Sequence, residues 1–187
     1  GRCYLRGIGV PTDPGQAVYW LQKAAEQDYP QALDLLGDCY EQGAGVPQDA
    51  PRAVELYRRA AEQNYPHALV SLGLCYERGT GISQDEAQAL SLYRQAGDLG
   101  SPAGACNAGI CLLNGIGAPA DPKQAAAWFQ KAADLGDTRA PRLLGDCYRD
   151  GRGVPQDEAR AAALFQQSAE RGDAKALMEL SVCYEQG

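Results

Sequence analysis

The residues of this chain that could do chemistry recur at one fixed spacing. Six of its seven cysteines stand 36 residues apart, at Cys3, Cys39, Cys75, Cys111, Cys147 and Cys183. Five aspartates keep the same step from Asp13 to Asp157, and His67 is the single histidine in the sequence. Cysteines can form disulfides or bind zinc, aspartates can bind calcium, and a histidine can act as a general base.

The spacing of the cysteines argues against disulfides and against zinc. If the repeats are stacked helices, equivalent residues lie about 8–10 Å apart, whereas the Cα atoms of a disulfide lie within about 7 Å. Zinc sites use close pairs such as Cys-x-x-Cys, which the sequence lacks. We therefore expect the cysteines of the series to be small buried hydrophobes, and Cys106, which is outside the series, to be exposed. Unpaired cysteines also fit a reducing compartment.

The other chemical signals have structural explanations too. One aspartate in each repeat cannot supply the roughly six to eight oxygens that a calcium ion takes. His67 occupies a position that varies between repeats and no nucleophile motif accompanies it, so we expect it on the surface. The Gly-x-Gly loops lack the third glycine of dinucleotide-binding motifs. We therefore predict a protein that is not an enzyme and that uses no metal and no cofactor.

The 36-residue period itself indicates a tandem-repeat protein. Within residues 66–101, apolar residues at spacings of three and four predict a first helix over Pro66–Arg78. Gly79 should end this helix in the left-handed conformation, and Asp85 should cap a second helix that runs to about Gly97. Neither helix can bury its apolar stripe alone, so successive helix pairs must stack.

The predicted fold is therefore all-α, a solenoid of stacked antiparallel helix pairs that fills the chain as one repeat array. Its four full units and two partial units are residues 1–29, 30–65, 66–101, 102–137, 138–173 and 174–187. Because both ends cut through a repeat, we expect the chain to be a segment of a longer protein.

Charge and hydropathy limit the partners that this array could have. The net charge of −7 disfavours a nucleic-acid groove, which needs clustered lysine and arginine, and also disfavours an anionic membrane surface. No apolar run approaches the roughly 18 residues that a membrane span requires. We therefore predict no nucleic acid and no membrane insertion.

A motif of small, apolar and turn-forming residues recurs in every repeat. In residues 30–65 it consists of Ala32, Leu36, Gly37, Tyr40, Gly43, Gly45, Val46, Asp49, Ala53, Leu56, Tyr57, Arg59, Ala60 and Ala61. This motif closely resembles the Sel1-like repeat (SLR) family, a branch of the tetratricopeptide-like α-solenoids. The resemblance implies a right-handed superhelix whose first helices line a concave face. It also implies a role as an adaptor or scaffold for other proteins.

A cysteine-rich bacterial branch of that family carries a disulfide within each repeat. There, a cysteine of a second helix is joined to one at the start of the next first helix. Cys106 lies near the latter position, but the position of its partner falls around Gly97 or Asp98. The resemblance therefore implies that this bridge is absent here.

Positions that vary between the repeats are expected to face solvent or a partner. On the first helices, two such positions lie four residues apart on one face and place an apolar patch between charged flanks. The predicted partner-binding residues are Asp34, Asp38, Val70, Leu74, Cys106, Ile110, Leu113, Arg142 and Asp146. An apolar patch with a charged rim is typical of protein-binding grooves, so we predict a protein or peptide partner bound as a helix or extended segment.

The sequence leaves three other interpretations open. Val70, Leu74 and Ile110 could be covered by neighbouring helices and bind nothing. The array could be a structural spacer, or could self-associate end to end through uncapped apolar stripes. A small-molecule binder or hydrolase would instead require a deep pocket with converging polar groups.

Overall fold

The computed structural model of the chain describes residues 1–186, with side chains described as far as Ser181. Within this part the protein is all-α, without strands. Its helices are α1 (Arg2–Arg6), α2 (Pro14–Ala25), α3 (Pro30–Gln42), α4 (Ala50–Ala61), α5 (Pro66–Arg78), α6 (Glu86–Asp98), α7 (Pro102–Asn114), α8 (Pro122–Asp134), α9 (Ala140–Asp150), α10 (Glu158–Glu170) and α11 (Ala174–Gln186). The predicted all-α class is confirmed.

The helix ends are set by local residue chemistry. α5 begins at Pro66, where a missing N–H costs nothing, and is followed by Gly79 at φ 70°, whose N–H donates to the carbonyl of Cys75. Asp49 caps α4, because its Oδ1 accepts a hydrogen bond of 3.0 Å from the N–H of Arg52. The other aspartates of the series make the same cap, namely Asp13, Asp85, Asp121 and Asp157. The predicted caps are confirmed.

The loop between the two helices of a repeat touches the preceding second helix through a glycine. A Cβ atom on Gly81 would lie 2.4 Å from the carbonyl oxygen of Ala50, at the start of α4. On Gly45 it would lie 2.3 Å from the carbonyl oxygen of Pro14, at the start of α2. No side chain fits at such a distance, so these glycines let successive helix pairs approach closely.

The chain divides into two compact units, Gly1–Leu92 and Tyr93–Gly187. In the first unit, α3 packs against α2 and α4, and α4 packs against α5. In the second unit, α8 packs against α7 and α9, and α10 packs against α9 and α11. Both cores consist largely of leucine, alanine and cysteine, and each also buries large aromatic rings of second helices. These rings are Tyr57 in the first unit and Tyr93, Phe129 and Phe165 in the second.

Most cysteines of the series are core residues, as predicted. Cys39, Cys75, Cys111 and Cys147 are buried and unbridged. The prediction is wrong for Cys3, which is exposed because α1 has only five residues, none of them buried. Cys183 lies outside the described side chains.

Candidate partner-binding surface

The predicted partner-binding residues are distributed over first helices of both units, and their environments differ. Four apolar members are partly exposed: Val70 and Leu74 on α5, and Ile110 and Leu113 on α7. The charged members lie on α3 in the first unit, which carries Asp34 and Asp38, and on α9 in the second, which carries Arg142 and Asp146.

Cys106 is not a surface residue, and the expectation that it is exposed is wrong. Its side chain is completely buried in a cluster that contains Ala105, Ala132 and Ala140. Burial raises the pKa of its thiol to about 12, and the neighbouring Asp137 carboxylate adds to this rise. Cys106 is therefore an unreactive core residue of the second unit.

Asp34 is also buried, with 2% of its surface exposed, so it does not form the charged rim that the sequence predicted. Its Oδ2 atom lies 2.7 Å from Nδ1 of His67, and its Oδ1 atom accepts a longer bond from Ser71 at 3.5 Å. The bond between Asp34 and His67 raises the pKa of His67. The rest of the imidazole is exposed, as predicted. Asp34 thus joins α3 to α5 rather than facing a partner.

Asp38 shares one buried phenol with a carboxylate that the sequence had not singled out. The hydroxyl of Tyr57 lies 2.8 Å from Oδ1 of Asp38 and 3.1 Å from Oε2 of Glu41. The ring fits because Gly37 has no side chain, and a Cβ there would lie 2.5 Å from the ring. Burial and both carboxylates raise the pKa of Tyr57, so its hydroxyl stays protonated. Burial also raises the pKa of Asp38, although the bond from Tyr57 opposes the rise.

The signal that could have revealed this arrangement lies in the aromatic position of the second helices. Tyr57 carries a hydroxyl, whereas Phe129 and Phe165 occupy the same repeat position without one. A buried phenol needs an acceptor, and α3 is the helix against which its ring packs.

A cavity of about 220 Å³ opens beside Asp34 and Asp38 in the first unit. Its lining residues are Arg2, Arg6, Gln31, Asp34, Leu35, Asp38, Tyr65 and His67. Arg2 and Arg6 lie one turn apart on α1, and no carboxylate of the described part of the chain forms an ion pair with either. The sequence-based prediction missed both arginines and the cavity.

The charged pair predicted in the second unit is engaged inside that unit. Arg142 donates to Asp173 over 2.9 Å and to Oδ2 of Asp146 over 3.3 Å. Arg149 donates to Oδ1 of Asp146 over 2.8 Å and to Glu179 on α11 over 2.5 Å. Both oxygens of Asp146 therefore already accept from guanidinium groups, and the network ties α9 to α11.

The described part of the chain contains neither a candidate metal site nor a candidate membrane span. Within residues 1–181 no group of three His, Cys, Asp or Glu side chains is placed to hold a metal ion. No described helix combines the length and the apolar character that crossing a membrane requires.

Helix pairs of 36 residues with capped second helices and glycine loops define an α-solenoid repeat protein. The Sel1 repeat model matches residues 1–29, 30–65, 66–101, 102–137 and 140–173. The chain therefore belongs to the Sel1 repeat family, and the predicted resemblance and fold class are confirmed. Sel1 repeat proteins are in general protein-interaction scaffolds, and their fold is typically non-catalytic.

Solved structures of bacterial repeat proteins have the same fold. A protective antigen of uropathogenic Escherichia coli with an SLR fold is 36% identical, with a TM-score of 0.91 over 100% of this chain and 40% of the antigen chain. A Sel1 repeat protein from Oxalobacter formigenes is 34% identical, with a TM-score of 0.93 over 98% of this chain and 75% of its own.

A more distant structure is cysteine rich protein B of Helicobacter pylori. It is 26% identical, with a TM-score of 0.57 over 71% of this chain and 96% of its own. Among curated proteins no match was found.

Proposed function

We propose that this chain is a scaffold segment that binds a partner protein through the exposed face of its first helices. The supporting observation is a division of roles along each first helix. In α5, the repeated positions Leu69, Leu72 and Cys75 are buried, whereas the variable positions Val70 and Leu74 stay partly exposed. Apolar side chains one turn apart are suitable anchors for an amphipathic helix or an extended peptide.

The second unit repeats this division of roles. In α7, Ala105, Ala108 and Cys111 are buried, whereas Ile110 and Leu113 stay partly exposed. The general tendency of Sel1 repeat proteins to bind other proteins supports the same proposal.

The proposal is tested by affinity capture with four baits that differ at one position each. The baits are the native chain, Val70→Asp in α5, Ile110→Asp in α7, and the control Ala163→Asp at an exposed position of the second helix α10. A charge at an apolar anchor should weaken the affinity for a partner at least tenfold, which corresponds to about 1.4 kcal/mol. The control adds the same charge away from the first helices and should leave capture unchanged.

The amount of each captured protein is measured on each bait. The baits are compared only if they have the same thermal stability. A partner held by the native and control baits and lost from Val70→Asp or Ile110→Asp supports the proposal. Equal capture by all four baits contradicts it, and the alternative of a spacer or self-associating array then takes its place.

A further inference from the structure

We infer that the first unit recognises a partner segment that carries charges of both signs beside an apolar residue. This inference rests on the proposed scaffold function and specifies the chemistry of the partner. The surface concerned, called here the mixed-charge face, consists of Arg2 and Arg6 on α1, Asp38 and Glu41 on α3, and Val70 and Leu74 on α5.

The acidic part of the mixed-charge face has fewer hydrogen-bond donors than its two carboxylates can use. Asp38 and Glu41 both contact the hydroxyl of Tyr57, and a phenol has one hydrogen to donate. At any moment one of the two carboxylates is therefore without a donor from this hydroxyl. No described lysine or arginine forms an ion pair with Asp38 or Glu41. A basic side chain of a partner would supply the missing donors.

The second unit shows how the same repeat positions are satisfied when the chain supplies the cations. Asp146 stands three repeats after Asp38, and two guanidinium groups occupy both of its carboxylate oxygens. Those groups belong to Arg142 and Arg149. On α3 the corresponding positions hold Asp34 and Glu41, which are acidic. The first unit thus presents the carboxylate without the guanidinium groups that bind it in the second.

The basic part of the mixed-charge face lacks acceptors. Arg2 and Arg6 line the cavity of about 220 Å³, and no described carboxylate pairs with them. Asp34 lines the same cavity but is occupied by His67 and Ser71. A partner carboxylate placed between the two arginines would accept charge-assisted hydrogen bonds from both.

The apolar part lies on the helix next to the carboxylates. The bond between Asp34 and His67 holds α3 beside α5, on which Val70 and Leu74 are partly exposed. A segment that crosses these helices therefore meets arginines on α1, then carboxylates on α3, then apolar side chains on α5. A uniformly basic segment would be repelled by the arginines, and a uniformly acidic one by the carboxylates.

The inference is tested with synthetic helical peptides that share the same leucine anchors and differ only in charge. Two mixed peptides carry glutamate and arginine in opposite orders, and the others carry only arginine, only glutamate, or glutamine. Fluorescence anisotropy at low salt should show one mixed peptide binding at least tenfold more tightly than the three unmixed ones. The preference should shrink as salt rises, because exposed charges are screened.

Variants of the mixed-charge face assign the preference to its residues. Glu41→Gln and the double variant Arg2→Gln/Arg6→Gln should each reduce this preference severalfold, because each removes charge from the mixed-charge face. The glutamine oxygen in Glu41→Gln can still accept from the hydroxyl of Tyr57. Glu41→Lys should bind poorly to the preferred mixed peptide. The variant should regain binding when the arginine of that peptide is replaced by glutamate. A merely structural role of Glu41 would not produce this rescue.

Two results would overturn the inference without rejecting the scaffold function. Equal affinity for all peptides, lost in Val70→Asp, would show apolar binding without charge selection, so that the scaffold function stands alone. Absence of binding to every peptide at millimolar concentration would also overturn the inference, and native capture that still depends on Val70 would leave the scaffold function standing. Capture insensitive to Val70 would instead reject the scaffold function itself.

Discussion

At the scale of single residues, the pair formed by Asp34 and His67 is the most informative contact of the first unit. A buried carboxylate is costly unless it is paired, and His67 with Ser71 satisfies Asp34 across two helices. The bond raises the pKa of His67 above its ordinary value of 6.5. The protonated imidazole is therefore favoured by folding, and the free energy of unfolding should depend on pH.

The sign of this dependence follows from the raised pKa. The stabilisation is fully present below pH 6.5, the ordinary pKa of His67, and is lost as the pH rises through the higher pKa of the folded state. Denaturant unfolding should show lower stability at pH 8 than at pH 6, by less than about 1 kcal/mol because the imidazole is mostly exposed. His67→Gln keeps a hydrogen bond to Asp34 but should lose the pH dependence. Parallel curves of unfolding free energy against pH for the native protein and His67→Gln would show that His67 is not the source of the pH dependence.

The cysteines support a second prediction at the residue scale. Burial raises the pKa of Cys75 and of Cys147 to about 11 and that of Cys106 to about 12, whereas Cys3 is exposed. Alkylation of the native protein at pH 8, followed by peptide mass spectrometry, should therefore label Cys3 first among the described cysteines. Early labelling of Cys106 would contradict its burial, and denatured protein, in which all sites react, provides the control.

At the scale of elements, the residues that end each helix are the most regular part of the molecule. Aspartate caps, proline starts and left-handed glycines act over three or four residues, so their effects can be read from the sequence alone. The predicted helix over Pro66–Arg78 is α5, and the predicted end of the next helix at Gly97 differs from the observed end of α6 by one residue.

The side-chain environments of the site could not be predicted in the same way. Asp34 and Arg142 occupy one repeat position, yet each is bound by residues that differ between repeats, His67 for one and Asp173 for the other. Cys106 was expected outside because its position varies, but small neighbours such as Ala132 allow it into the core. Period and residue type therefore predict the helices, whereas partners from other repeats decide which side chains remain exposed.

The loop glycines give a test of how closely successive helix pairs approach. Gly81→Ala adds a methyl group 2.4 Å from a carbonyl oxygen, besides the strain of φ 70°. The matched control is Gly9→Ala, which has φ 72° but nothing within 4 Å of the added carbon. We expect Gly81→Ala to lower the free energy of unfolding by at least about 2 kcal/mol more than the control, because backbone must move. Equal losses would mean that only the backbone conformation matters.

At the scale of the whole molecule, two exposed apolar sites stand far apart in the sequence. Trp20 on α2 is 50% exposed, and Met178 on α11 is 71% exposed. The equivalent of Trp20 one repeat later is Leu56, which is 1% exposed. Leu56 belongs to the same buried cluster as Ala25, which is on the second helix of the repeat before it. The same repeat position is therefore covered in α4 and exposed in α2.

The exposure of Trp20 and Met178 predicts association between copies of the chain, because large exposed apolar side chains favour contacts between proteins. Sedimentation velocity over a range of concentrations should show a mass that rises with concentration. Trp20→Lys/Met178→Lys should remove this rise, because a charge at a buried contact between copies is unfavourable. Ala127→Lys, at an exposed position of α8, provides the control and should leave the rise intact. A constant monomer mass for the native chain would exclude the self-associating array and leave the partner-binding scaffold and the structural spacer as the two alternatives.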